Sequence, residues 1–176
     1  MRSLHRVIVS LAVAGTLACL PLSVAGMSGP MMTGGGHLLF GGEIDVQFAF
    51  SAVQHPDGSA SGAFHHSFVF DGHEIDYWGK VTCLAVDPAT GRAWLGGVLT
   101  KVTSTHPDVT ELPGDDAWFR VLDNGPASAA DPDRSTLMGF KSPDIETSEQ
   151  YCALRIWPDD NARTHPVVAG NISVRT

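Results

Sequence analysis

From Glu43 to Val53 the chain alternates, with Ile44, Val46, Phe48, Phe50 and Ala52 on one side and Asp45, Gln47, Ala49 and Ser51 on the other. A period of two puts successive side chains on opposite faces of an extended chain, so the segment predicts a strand with one core face and one wetter face. The stretch from His55 to Ser59 carries turn chemistry, because Pro56 fixes φ and Gly58 accepts positive φ. Ala60 to Phe70 repeats the alternation with Phe64, His66, Phe68 and Phe70 together, and Asp71-Gly72 predicts a tight hairpin. His73 to Val86 reads as a third long strand or a bulged pair, with Gly79 permitting a bend.

The segment from Asp87 to Gly91 is another turn, and Ala93 to Val102 another strand in which Gly96-Gly97 marks a kink or a close backbone approach. Thr103 to Asp116 is polar and loop-like. Ala117 to Leu122 returns to strand pattern and ends sharply at Asp123-Asn124-Gly125-Pro126. Ala127 to Arg134 reads as a mobile surface loop and Leu137 to Phe140 as a short edge strand, and Ser142 to Gln150 is compatible with one helical turn. Tyr151 to Trp157 alternates again, and a last strand is predicted over Val167 to Val174.

Seven or eight strands joined by local turns in one small domain predict an all-β fold: a single antiparallel, meander-like β-barrel of about eight strands, with a two-sheet sandwich as the alternative. Closure hides strand edges that would otherwise stay unpaired, which favours the barrel. No fixed-period repeat suggests a propeller or solenoid.

The N-terminus has a different pattern. Arg2, His5 and Arg6 precede a mostly apolar run from Val7 to Leu20, and Ser23-Val24-Ala25 places small residues where a leader peptidase reads. Residues 1–25 are therefore expected to be a signal peptide, 26–35 a flexible mature N-terminus, and 36–176 the barrel domain. The apolar run falls short of the roughly 20 residues that a membrane span needs, so no stable span is expected after processing. Loss of Arg2 and Arg6 would take the formal charge from −8 to −10. No basic patch remains to neutralise phosphate, which argues against nucleic acid as a partner. About 150 residues suffice for one full hydrophobic core.

Cys19 would leave with the leader, so Cys83 and Cys152 are the cysteines of the mature chain. An oxidising compartment makes their pairing the simplest expectation, and the chain-entropy model gives such a bond about 4 kcal/mol. Two separate buried thiols are the alternative.

Gly62-Ala63-Phe64, the run from Gly79 to Val86, the run from Arg92 to Val98, and the run from Phe119 to Gly125 with Asp131 resemble a group of secreted bacterial β-domain proteins without an established function. The resemblance spans roughly Gly36 to Trp157 and implies a domain type; it implies no site residue. A looser likeness to small eight-stranded barrels, some lipid-binding and some cyclising apolar substrates, rests on architecture and does not transfer chemistry.

Candidate chemistry is sparse. His65 and His66 point to opposite faces of a strand and do not share a metal ion; His66, on the Phe64/Phe68 face, is the strongest polar candidate for ligand contact if it enters a lumen. Asp71, Glu74 and Asp76 gather at a hairpin, where two carboxylates could divide acid and base roles, although acidic residues at a turn are ordinarily solvated. Asp123, Asn124 and Asp131 offer oxygens without EF-hand spacing, so no metal is expected. There is no GxSxG elbow and no phosphate-cradling loop, and no catalytic residue or cofactor is assigned.

The aromatic residues Tyr77, Trp94 and Trp118, with Trp78 and Trp157, lie in or beside strands and could line a small apolar cavity with His66. The preferred reading is a secreted, non-enzymatic barrel that binds a small apolar ligand or an extracellular surface through His66, Tyr77, Trp94 and Trp118. The alternatives are an enzyme of cyclase or isomerase type, with His66 or Asp45 directed into an enclosed cavity, and a purely structural secreted domain.

Overall fold

The computed structural model describes residues 29–126, 130–158 and 161–176; the predicted leader lies outside them. Along these residues run β1 (Met31–Phe40), β2 (Ile44–Gln54), β3 (Ala60–Phe70), β4 (His73–Asp87), β5 (Arg92–Ser104), β6 (Asp116–Leu122), β7 (Arg134–Thr136), β8 (Gly139–Phe140), α1 (Ser148–Leu154) and β9 (Thr164–Arg175). Each of the first six strands pairs antiparallel with the next, and β9 returns to pair with β1. β7 pairs with β6 at Val121 and Leu122, and β8 with β6 at Ala117 and Trp118, so the two are pieces of one interrupted stave. β7 also pairs with β9. The fold is a closed antiparallel barrel of eight staves in sequential order.

The local chemistry explains the hairpins. Asp71 (φ 50°) and Gly72 (φ 76°) both take left-handed backbone, as a two-residue loop matched to strand twist requires. Along β2, burial alternates residue by residue: Val46, Phe48, Phe50 and Ala52 are inside while Asp45, Gln47, Ala49 and Ser51 are exposed. Across the barrel these meet Phe64, Tyr77, Val81, Leu95, Leu99, Phe119 and Ile172 in one apolar interior. Fully burying an aliphatic or phenyl side chain contributes roughly 1.5–3 kcal/mol, so this interior is the main source of stability. Two glycines shape its packing. Phe50 lies against Gly34 and Phe64 against Gly79, each directly across a strand pair, and a methyl group at either glycine would fall into the phenyl ring.

A second apolar cluster lies on the outer face of β4, β5 and β6. Cys83, Ala85, Trp94 and Trp118 there meet Tyr151 and Cys152 of α1. The Cys83–Cys152 disulfide spans 6.2 Å between Cα atoms, and a Cβ at Gly96 would stand 2.7 Å from Ser148 Cβ, so the helix rests directly on the strand. Thr147 caps the helix by accepting from the Gln150 amide.

Two segments differ from the sequence reading. Residues 31–35, expected to be a flexible lead-in, form the first half of β1, because glycines there admit the Phe50 ring and pair with both β2 and β9. Tyr151 to Trp157, expected to be a strand, enters as helix up to Leu154. Ser148, Tyr151 and Cys152 are its buried residues, a helical spacing, and Arg155 ends it in left-handed backbone at φ 48°.

Candidate functional site

The proposed ligand residues do not converge. His66 and Tyr77 stand in register on β3 and β4 and face inward. Trp94 and Trp118 occupy the opposite face of β5 and β6, where they pack under α1. The expectation of a single site formed by all four is thus corrected by strand parity: Ala93 and Leu95 take the inner positions beside Trp94, and Ala117 and Phe119 those beside Trp118. Trp94 donates its indole N–H to the Ile156 carbonyl at 2.9 Å, and Trp118 stacks on Tyr151 at 5.5 Å.

Inside the barrel, His66 is 1% exposed. Phe119 lies 4.8 Å and Phe48 6.2 Å from its ring centre, and its Nε2 has no hydrogen-bond partner. Burial, with a smaller contribution from His65, pushes its pKa down to about 3, so the imidazole is neutral at ordinary pH. Tyr77 donates its hydroxyl to Glu111 at 3.2 Å; burial, reinforced by the Glu111 charge, raises its pKa above the usual phenol range. The Phe140 ring stands 5.1 Å from Tyr77 and packs against the interior cluster. Tyr151, on the outer face, is also pushed up by burial, to about 12, against the opposing influence of Arg120.

The open concavity of interest lies in the wall. The β1–β2 ladder runs to Phe40↔Ile44 and the β3–β4 ladder to Phe70↔His73, but the β2–β3 ladder between them stops at Val46↔Phe68. β2 and β3 therefore part near their hairpin ends. A groove of about 570 Å³ opens there, lined by Ile44, Phe68 and Ile75 together with Asp45, Ser67 and Asp76. Residues of both strand parities line it, as expected where the wall is not closed by a ladder. Glu43 and Glu74 stand at the same groove. His37 Nδ1 lies 2.9 Å from Asp45 and His65 Nε2 lies 2.9 Å from Asp76, with the His65 ring stacked on Trp78 at 3.8 Å. Around this end Leu39, Phe40, Val69 and Phe70 are exposed, Val69 to 54%.

In the Asp123 region two carboxylates are taken up by backbone amides. Asp123 accepts from the Gly125 and Val174 amides, and Asp133 from the Asn124 and Ile172 amides. These carboxylates hold β9 where β7 is too short to reach it. Among the described residues no group of three or more His, Cys, Asp or Glu is placed to hold a metal ion, and no helix is long and apolar enough to cross a membrane.

No family model, curated protein or solved structure matches this chain. The resemblance to secreted bacterial β-domains thus extends to a small single-domain barrel and no further. The parting of β2 and β3 was missed by sequence reasoning, because it depends on where three ladders end; the exposed parity of Val69 beside Asp71-Gly72 was its one local signal.

Proposed function

We propose that this disulfide-bonded barrel is an extracytoplasmic, non-enzymatic recognition domain that meets its ligand or partner surface with the β1–β2 and β3–β4 end of the barrel. The observation that carries the reading is the groove between β2 and β3, with its apolar floor and exposed Val69 in its lining, flanked by hairpins that also expose Leu39, Phe40 and Phe70. Single exposed apolar residues are ordinary on a protein surface, but four of them on the two hairpins that flank a concavity favour a binding surface. The interior supports the same choice: phenyl rings lie directly on Gly34 and Gly79, so aromatic side chains take the space a lumenal ligand would need. The Cys83–Cys152 bond is consistent with an oxidising compartment and supports the export reading.

One observation favours a second reading, an enzyme of cyclase or isomerase type. His66 is a buried polar group with an unpartnered Nε2 among aromatic rings, the kind of group that would orient an apolar substrate if the interior opened.

Titration of the purified chain with Nile red, a neutral apolar dye, separates the two. On the recognition reading, dye fluorescence rises on binding, and Val69→Asp with Phe70→Asp weakens that binding about tenfold, equivalent to about 1.4 kcal/mol. His66→Leu leaves it unchanged. Dye binding that is insensitive to the Val69 and Phe70 changes but altered by His66→Leu would transfer the site to the interior.

A further inference from the structure

We infer that the groove between β2 and β3 selects a cationic, extended segment of another protein, seating the aliphatic stem of a lysine or arginine on Ile44, Phe68 and Ile75 and its charged head among the flanking carboxylates. The inference rests on the recognition reading above and names the chemistry of the partner.

Three independent features of the groove converge on this occupant. Its charge has one sign: Glu43, Asp45, Glu74 and Asp76 line it, and no lysine or arginine does. Asp45 and Asp76 each engage a histidine, whereas Glu43 and Glu74 have no ion-pair partner among the described residues. The chain as a whole is acidic, at −8, so a cationic partner is also attracted from a distance.

The floor is apolar and continuous with the core. Ile75 is buried, and Ile44 and Phe68 pack against the interior cluster. A long cationic side chain matches this combination, since its methylene stem covers apolar surface while its head remains among polar groups. A compact inorganic cation would leave the floor unmatched.

The backbone supplies the third feature. Because the β2–β3 ladder ends at Val46↔Phe68, the amide and carbonyl groups that point across the gap from residues 44–45 and 69–70 have no ladder partner. An extended peptide satisfies such edges by main-chain hydrogen bonds, while alternate side chains enter the groove. Only alternate residues of the partner face inward, so spacing of the basic residues by one is favoured over a continuous basic run.

The probe is a fluorescein-labelled pentapeptide, Lys-Val-Lys-Val-Lys, titrated into the purified full chain and followed by fluorescence anisotropy, with Glu-Val-Glu-Val-Glu as its counterpart. Saturable binding of the lysine peptide is expected, with the glutamate peptide silent. A variant carrying Glu43→Gln, Asp45→Asn and Glu74→Gln, confirmed as folded by its unchanged far-ultraviolet spectrum, should bind at least about tenfold more weakly. Raising salt from about 50 to about 500 mM should weaken the unmodified protein similarly, since exposed charges are screened over a few ångströms at high salt. Equal binding of both peptides, no binding of the lysine peptide, or unchanged affinity in the variant would overturn the inference. If Nile red binding still depends on Val69 and Phe70 in that case, the recognition reading stands and only the cationic partner falls; if neither probe binds, both fall.

Discussion

Two apolar clusters share strands β4, β5 and β6 and lie on opposite faces of them. The inner one unites Val81, Leu95 and Phe119 with residues of the surrounding strands, and the outer one unites Cys83, Trp94 and Trp118 with a seven-residue helix. The inner cluster follows from successive hairpins, each bringing neighbours in sequence together. The outer cluster depends on partners far apart in sequence, from 33 positions between Trp118 and Tyr151 to the 69 closed by the disulfide. Two arginines reinforce the outer clasp: Arg92 and Arg120 stand 5.0 and 5.3 Å from the Trp157 ring. One side of the same wall is thus held by closure of the barrel, and the other by a cross-link and a lid.

The largest effect is expected at the centre of the inner cluster. Phe119 touches Phe50, Phe64 and His66, with ring centres 5.4, 6.0 and 4.8 Å away. Phe119→Ala should cost about 3–5 kcal/mol in urea unfolding, with loss of protection from hydrogen exchange throughout the barrel strands. A change confined to α1 would refute the assignment of this ring to the barrel core.

Next comes the outer clasp. Replacing Cys83 and Cys152 together by serine should cost about 2–4 kcal/mol, and exchange should accelerate first over residues 148–154. Equal acceleration in β1 to β3 would mean that the two clusters open as one unit.

The third effect is a pH dependence in the acid range that belongs to the inner cluster. His66 has its folded pKa lowered from 6.5 to about 3, so between those values the unfolded chain takes up a proton that the folded chain refuses. Stability attributable to this group is therefore full above pH 6.5 and falls as the pH drops toward 3, by about 1.4 kcal/mol per unit. Measured as the difference between the native chain and His66→Leu, that slope should appear in chemical denaturation between pH 6 and 4. Parallel curves for the two proteins would show that His66 is reached by solvent in the folded state.

The alternation of β2 and β3 was readable in the sequence because each strand has a single apolar parity. β5 and β6 have none: Ala93, Trp94, Leu95 and Trp118, Phe119 are all buried, since α1 covers the face that solvent would otherwise wet. Parity there cannot tell the barrel side from the helix side, so the sequence pattern alone groups Trp94 and Trp118 with His66. Cys83 discriminates the two faces only through α1: its bond to Cys152 marks the outer face, but the sequence pattern places Cys152 in a strand of the ladder. β1 was not legible as a strand: Thr33-Gly34-Gly35-Gly36 has no apolar rhythm, and its order comes from two neighbouring ladders and from Phe50. Of the groove carboxylates, Glu74 and Asp76 belong to the hairpin cluster legible in the sequence, whereas Glu43 and Asp45 come from another hairpin; their meeting around Ile44 and Phe68 is a property of three strands at once.

The interrupted stave between β6 and β9 gives the circle of strands a weakest joint. β9 is laddered to β1 along most of its length but to β7 only at Arg134, Ser135 and Thr136, with Asp123 and Asp133 standing in below for a missing neighbour. Rupture at that joint breaks no hairpin and leaves β1 and β9 joined, so the ring would unroll as a ribbon that bears a bare C-terminal margin. Such a margin is the natural template for exchange of strands between two copies of the chain.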